Sequence, residues 1–210
     1  GAAATALVAA LIGLLGVIIF ERIFAITLVP PPDLFATGSR QAAWAIDGAI
    51  LALLAAAILA VCADALGVME KAVELTTDYL GTRKQFGRPI GSFQAVKHRL
   101  ADCLVDLEHA RSATYHAVWA LTDGTDDPAL AVSIAQATAS SAFAKIAADT
   151  IQVHGGIGFT WEHQAHLYFK RATTDAALLG SAEAHRSRVA EMVLDDAPAD
   201  RVPWVATGTR

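Results

Sequence analysis

Arg83, Phe86, Gly87, Pro89 and Gly91 fall close together in the segment YLGTRKQFGRPIGSFQAVK at 79–97. An arginine presents fixed, paired donors to phosphate oxygens, and glycines let a backbone approach a ligand closely. Tyr79 and Leu80 close an apolar helical run, so Arg83 and Phe86 stand where that helix gives way to a turn. A second glycine cluster, QVHGGIGF at 152–159, follows another Ala-rich helical stretch. Both read as helix ends with open backbone donors, a setting that suits an anion. Together they suggest a ligand carrying phosphate and a nucleobase. Singly, each has a plainer reading: Arg83 a solvated cation, Phe86 a core ring, the glycines a helix C-cap.

These residues need helices to hold them. From Trp44 an apolar helical period begins, and a first long helix is predicted over 46–80, after an irregular stretch at 33–43. Ser92 is a suitable N-cap for a second helix reaching about Leu121, and Pro128 suits the first turn of a third that runs to about Val153. A shorter helix follows from Glu162 or His163, with Glu162 as its cap, to about Leu178; a last one spans Ser181 to Leu194. Long helices joined by short loops predict a mainly α protein built as an antiparallel four-helix-type bundle. In the second helix, Ala95, Leu100, Cys103, Leu104, Leu107, Ala110 and Ala113 mark the inward stripe, opposite Arg99, Asp102, Asp106 and Glu108. In the third, Ala135, Ala139, Ala142 and Ala147 permit close approach of backbones.

Composition narrows the function classes. Apolar residues make up 54% of the 210 and charged ones 18%, so much helix surface must be buried against other helices or another subunit. A net charge of −5 gives no basic footprint for nucleic acid. Cys62 and Cys103 lie in apolar runs without metal-type spacing and read as buried thiols in a reducing cytoplasm. His163 and His166 share a helix, but that spacing alone fits cap or surface roles better than a metal site. Residues 1–20 and 48–63 carry no charge, yet the first lacks flanking basic residues and an aromatic belt, and the second is short and bounded by Asp47 and Asp64. Buried helix is the expectation, with no membrane span. Without a basic start, no signal peptide is expected either. Residues 4–19 read as helix and 23–29 as a strand stopped by Pro30–Pro32. A lone strand has no partner, so the opening third reads as pieces of a longer chain joined near Phe20/Glu21 and between Gly38 and Trp44.

From Trp44 to Leu194 the chain resembles the acyl-CoA dehydrogenase family. RKQFGRPIGSFQAVKHRLAD at 83–102 and QVHGGIGFTWEHQAHLYFKRA at 152–172 are similar to its two signatures. The resemblance implies that 44–195 is the C-terminal helical bundle domain, followed by a tail at 196–210. It makes 1–20 a remnant of an N-terminal helical domain and 21–43 a remnant of a middle β-domain. It also implies FAD as cofactor, held across a subunit interface. The positions matching Arg83 and Phe86 contact its dinucleotide part, and those matching Gln152, Gly155 and Gly156 approach the adenosine and pyrophosphate.

The family's chemistry needs a carboxylate to remove the α-proton of a thioester. Here Leu178-Leu179-Gly180-Ser181 matches the segment that carries that glutamate in most members, and Gly180 takes its place. The alternative base position, on the first long helix, falls at about Ala57, beside about Ile58 where many members keep a substrate-orienting arginine. No residue is therefore assigned as catalytic and none as a metal ligand. Retained FAD signatures without a base resemble one subunit of the actinobacterial heteromeric acyl-CoA dehydrogenases of sterol side-chain degradation. That implies a different, base-bearing subunit as partner, an α2β2 assembly, and an electron-transfer flavoprotein as acceptor. Two other readings compete: a self-sufficient homo-oligomer whose base is unrecognised, such as Glu183, and a cofactor-free helical membrane or scaffold protein.

Overall fold

Alanine and other small side chains let the long helices lie close together, and the order of helices follows from that. The computed structural model describes residues 40–124 and 126–194, with side-chain surroundings from residue 48 onward. The helix expected over 4–19, the strand over 23–29 and the tail from 196 lie outside those residues. Helix α1 spans Arg40–Thr82, β1 Lys84–Gln85, β2 Arg88–Pro89, and a 3-10 turn Ile90–Ser92. Helices α2 (Gln94–Asp123) and α3 (Pro128–His154) follow, then a 3-10 turn Gly155–Phe159, α4 (Ala165–Asp175) and α5 (Ala182–Leu194). The described chain is thus a helical bundle, as the sequence predicts, with one two-stranded hairpin that it did not foresee.

Helix α3 is the axis of the bundle and packs against all four other helices. Its buried Ala135, Ala139, Ala142 and Ala147 are at most 6% exposed, as expected of a helix with neighbours on several sides. Cys62 pairs with Gln136 and Thr76 with Thr150, each 74 residues apart, so α1 and α3 run parallel in fixed register. Helix α2 runs the other way, with Arg99 bonded to Asp149 and Asp106 to Lys145. The core between them holds Leu59, Met69, Leu107, Phe143 and Ile146. Both cysteines are free and buried, and burial pushes each thiol up to about 12, so both stay protonated. The same register sets Pro128 level with Leu54. Ile50, Leu51, Leu53 and Leu54 accordingly extend past the start of α3 and are 47–61% exposed.

Several boundaries differ from the sequence reading for local reasons. Helix α1 already includes Arg40, because nothing in 40–46 breaks a helix. Ser92 does not cap α2: its hydroxyl donates to the Pro89 carbonyl, and Phe93 takes the N-cap position without a side-chain bond. Ala95 and Leu104 lie outside the buried stripe of α2, which runs through Cys103, Leu107, Ala110, Thr114, Ala117 and Ala120. Leu104 is 50% exposed because the helix turns it away from α3 one step past Cys103. Glu162 is no cap either; the Ala165 amide donates to His163 Nδ1 instead. At α3 the expectation holds: the Asp127 carboxylate accepts from the Ala129 and Leu130 amides, with Pro128 in the first turn.

Two of the helices, Gly48–Thr82 and the segment Pro128–Phe159, are long and apolar enough to cross a bilayer. The second is the central helix here, with 61% of its apolar window buried by its neighbours; the first has only 22% of its window buried, against the expectation of a buried helix over 48–63. The first 20 residues, the other uncharged run, are outside the described residues.

A buried polar chain ties the core to the turn before α5. The Cys62 thiol donates to Gln136 Oε1 at 3.2 Å, and Gln136 Nε2 donates to the Leu178 carbonyl at 3.3 Å. Gln136 is 1% exposed, so its loss removes a buried amide that serves both the Cys62 thiol and the Leu178 carbonyl. Gln136→Leu should lower the unfolding free energy by about 1–3 kcal/mol, read as a drop in urea midpoint at unchanged m value.

Candidate functional site

Arg83 and Phe86 owe their display to a two-residue hairpin. Lys84 pairs with Pro89 and Gln85 with Arg88, leaving Phe86 and Gly87 as the loop. Both loop residues have positive φ, 52° and 78°, the pattern whose twist matches that of the paired strands. Glycine takes such a conformation freely, but phenylalanine does so at a cost of about 1–3 kcal/mol. The result is a ring 90% exposed, touching only the edge of Phe93 at 6.1 Å between centroids. Phe93 also lies under the Arg88 guanidinium, 4.1 Å from its ring centre, and so fixes both sides of the hairpin. Arg83 is exposed and forms no ion pair among the described residues.

The hairpin is pulled back onto α1. The Ile90 amide donates to the Arg83 carbonyl at 2.8 Å, and a Cβ on Gly91 would sit 2.9 Å from the Leu80 carbonyl oxygen. Only glycine fits at 91, for a packing reason within this chain.

The second cluster closes α3 at the same end of the bundle. Tyr79, near the end of α1, stacks on His154, the last residue of α3, with centroids 4.4 Å apart. Its hydroxyl also donates to the His154 carbonyl at 3.4 Å. Gly155 is left-handed at φ 64°, and its amide donates to the Gln152 and Ile151 carbonyls. That corrects the expectation of open donors: this is the C-terminal, negative end of α3, and the Gly155 N–H is already taken. What the turn offers instead is bare backbone. Gln152, Gly155 and Gly156 are all exposed. A Cβ on Gly158 would meet His154 Cβ at 2.9 Å, so its glycine is explained by packing; one on Gly156 would meet nothing within 4 Å. Gly156 has no such explanation inside this chain.

The five residues singled out from sequence thus lie at the ends of α1 and α3: Arg83 and Phe86 after α1, Gln152 in the last turn of α3, and Gly155 and Gly156 just beyond it. Sequence reading missed their support: Tyr79, Phe93, Arg88 and His154. His154 sits within the second signature, but a histidine beside two glycines gives no sign that its ring is 3% exposed. Burial pushes its pKa down, aided by nearby His163 and opposed by a hydrogen bond to Thr150. His163 serves as a cap, as anticipated, and among the described residues no group of three or more His, Cys, Asp or Glu could hold a metal ion.

Gly180 lies elsewhere, on the turn before α5. It has φ 103°, directly after Leu179 at φ 59°. A Cβ there would stand 2.9 Å from His185 Nε2, which donates to the Leu179 carbonyl at 3.0 Å. His185 is 6% exposed and cannot swing aside freely. Ala57 is exposed and Ile58 half-buried on α1. Glu183 starts α5, 81% exposed at its side chain and paired with Arg186 at 3.5 Å.

Residues 48–194 match the acyl-CoA dehydrogenase C-terminal domain. Acyl-CoA dehydrogenase IpdE2 of Mycobacterium tuberculosis is 48% identical over 126 residues, covering 60% of this chain and 37% of that protein. Among solved structures, the ChsE4–ChsE5 complex from Mycobacterium tuberculosis aligns with a TM-score of 0.67 and 36% identity, over 73% of this chain and 41% of that one. A variant of the steroid acyl-CoA dehydrogenase Tcur3481–Tcur3483 aligns at 0.65 and 37%, over 68% and 39%. The chain therefore spans well under half the length of these relatives. With the family profile matched across the whole described bundle beyond the start of α1, the chain belongs to the acyl-CoA dehydrogenase family, whose members are FAD flavoproteins.

Proposed function

We propose that this chain is one subunit of an FAD-dependent acyl-CoA dehydrogenase, completing the flavin site for a different subunit that carries the catalytic base. The reaction is α,β-dehydrogenation of an acyl-CoA thioester, and a steroid side-chain CoA is the substrate class favoured by the likeness to a steroid enzyme and to a complex of two named components. The partner is another member of the family, in an α2β2 assembly, with an electron-transfer flavoprotein as acceptor. Two free, buried thiols suit a reducing cytoplasm.

The observation that carries the reading is the pairing of an unpartnered Arg83 and a strained, exposed Phe86 with a glycine turn at the same end of the bundle. These residues fit the nucleotide end of FAD. Arg83 would hold phosphate oxygens with two donors, where the negative ends of α1 and α3 would otherwise repel them. Phe86 would offer its face to a ring or ribose of the dinucleotide. Gln152, Gly155 and Gly156 would let the ligand lie against backbone, and the missing Cβ at Gly156 leaves that room. FAD supplies the hydride acceptor at its flavin ring. The proton must go to a carboxylate, and the places where the family keeps one are here Gly180 and about Ala57. At Gly180 a glutamate meets both a left-handed backbone and the His185 ring.

Three outcomes follow. Copurification with base-bearing family members should yield bound FAD and turnover only in the pair; full flavin and activity from this chain alone would overturn the reading. In that pair, Arg83→Ala should weaken FAD binding about 10–100-fold, measured by flavin release, with little change in melting temperature. Gly180→Glu should lower stability by about 1–3 kcal/mol and confer no partner-independent turnover, while Glu183→Gln should leave the turnover of the assembly unchanged.

A further inference from the structure

His154 touches both halves of the candidate site, and one of its ring nitrogens has nothing to bond. Nδ1 lies 2.7 Å from the Thr150 carbonyl, so Nδ1 carries the proton and donates it. Nε2 is buried without a hydrogen-bond partner among the described residues. One neighbour of the ring is Tyr79, whose carbonyl accepts from the Arg83 amide at 2.9 Å. Another is His163, with centroids 4.3 Å apart. Gly158 closes over its Cβ. The imidazole therefore meets α1 one turn before Arg83 and the lead-in to α4, while the Cβ of the same side chain lies against Gly158.

We propose that neutral His154 is a positioning clamp that sets the spacing between the Arg83 hairpin and the Gly155–Gly156 turn, and that protonation at Nε2 releases it. The inference rests on the flavin reading above. A second N–H on this ring would enter a buried site that offers it no acceptor. The groups facing the ring are Tyr79 from α1, the Thr150 carbonyl from α3 and His163 from the lead-in to α4; none is a carboxylate, and a charged His163 would add repulsion. Burial, with the His163 charge, holds the His154 pKa below that of a free imidazole. The sign follows. Above about pH 6.5 the ring is neutral whether the clamp is closed or open, and the clamp holds. Below that, the open form takes up a proton first, and closure is lost as pH falls through the lowered pKa.

The test is flavin retention by the assembled enzyme between pH 8 and pH 5.5, by ultrafiltration, for wild type and His154→Gln. A glutamine amide can donate to the Thr150 carbonyl but does not titrate. Wild-type affinity should be flat at high pH and then fall, approaching about tenfold per pH unit, while the variant stays nearly level. Equal acid slopes in both would overturn the clamp. If the variant fails to fold, the histidine-ring NMR titration of the wild-type chain, labelled within the assembled enzyme, decides. By reciprocity, saturating FAD should lower the His154 pKa, and an unmoved titration would overturn the idea. If FAD binds at no pH, the functional reading falls by itself. The clamp is then judged in the flavin-free chain: the Gly155–Gly158 amide signals should titrate with the His154 ring, and independent titration sinks it.

Discussion

A fixed register between two parallel helices decides where the candidate ligand-contacting residues of this protein fall. Helices α1 and α3 are held in step by Cys62 with Gln136, Thr76 with Thr150, and Tyr79 on His154. Because they point the same way, both end at the same end of the bundle, and each is followed at once by a turn rich in glycine. A slip of one helical turn, about 5.4 Å, would part Tyr79 from His154 and with it the two halves of the candidate site. Small side chains make the register possible, since alanine along α3 lets neighbouring backbones approach. Buried polar groups make it specific, since each must meet a particular partner.

On the proposed reading, the two turns would let one bundle end meet a phosphate ligand despite unfavourable dipoles. Helix C-termini are negative. The chain answers with Arg83 directly after the last residue of α1, rather than with free backbone donors. The donors expected at the glycine cluster are instead used to close α3. Glycines with similar sequence settings therefore do different work: Gly91 and Gly158 allow tight packing, Gly87 and Gly155 allow a left-handed turn, and Gly156 leaves open space.

Among the described residues, the number and order of the helices and the inward face of α3 were legible in the sequence because apolar period and caps act locally. Asp127 and Pro128 announce the start of α3 as plainly as a sequence can. The hairpin was not legible: strands of two residues carry no period, and Phe-Gly is a poor advertisement for a turn with two positive φ angles. Leu104 was misread because a leucine beside the true stripe looks the same as one inside it. The overhang of Ile50 to Leu54 was hidden for a similar reason, since exposed and buried aliphatic helix share a composition. The five candidate ligand-contacting residues were found by motif, but their scaffolding was not. Whether a histidine is a bystander or a keystone depends on residues 75 positions away.

The turn at Leu179 and Gly180 also bears on how such a chain could change over generations. Two successive left-handed residues, with the His185 ring parked against the second, make the site intolerant of any side chain there. An acidic residue at 180 would therefore sit more easily in a chain whose residue 185 had also changed.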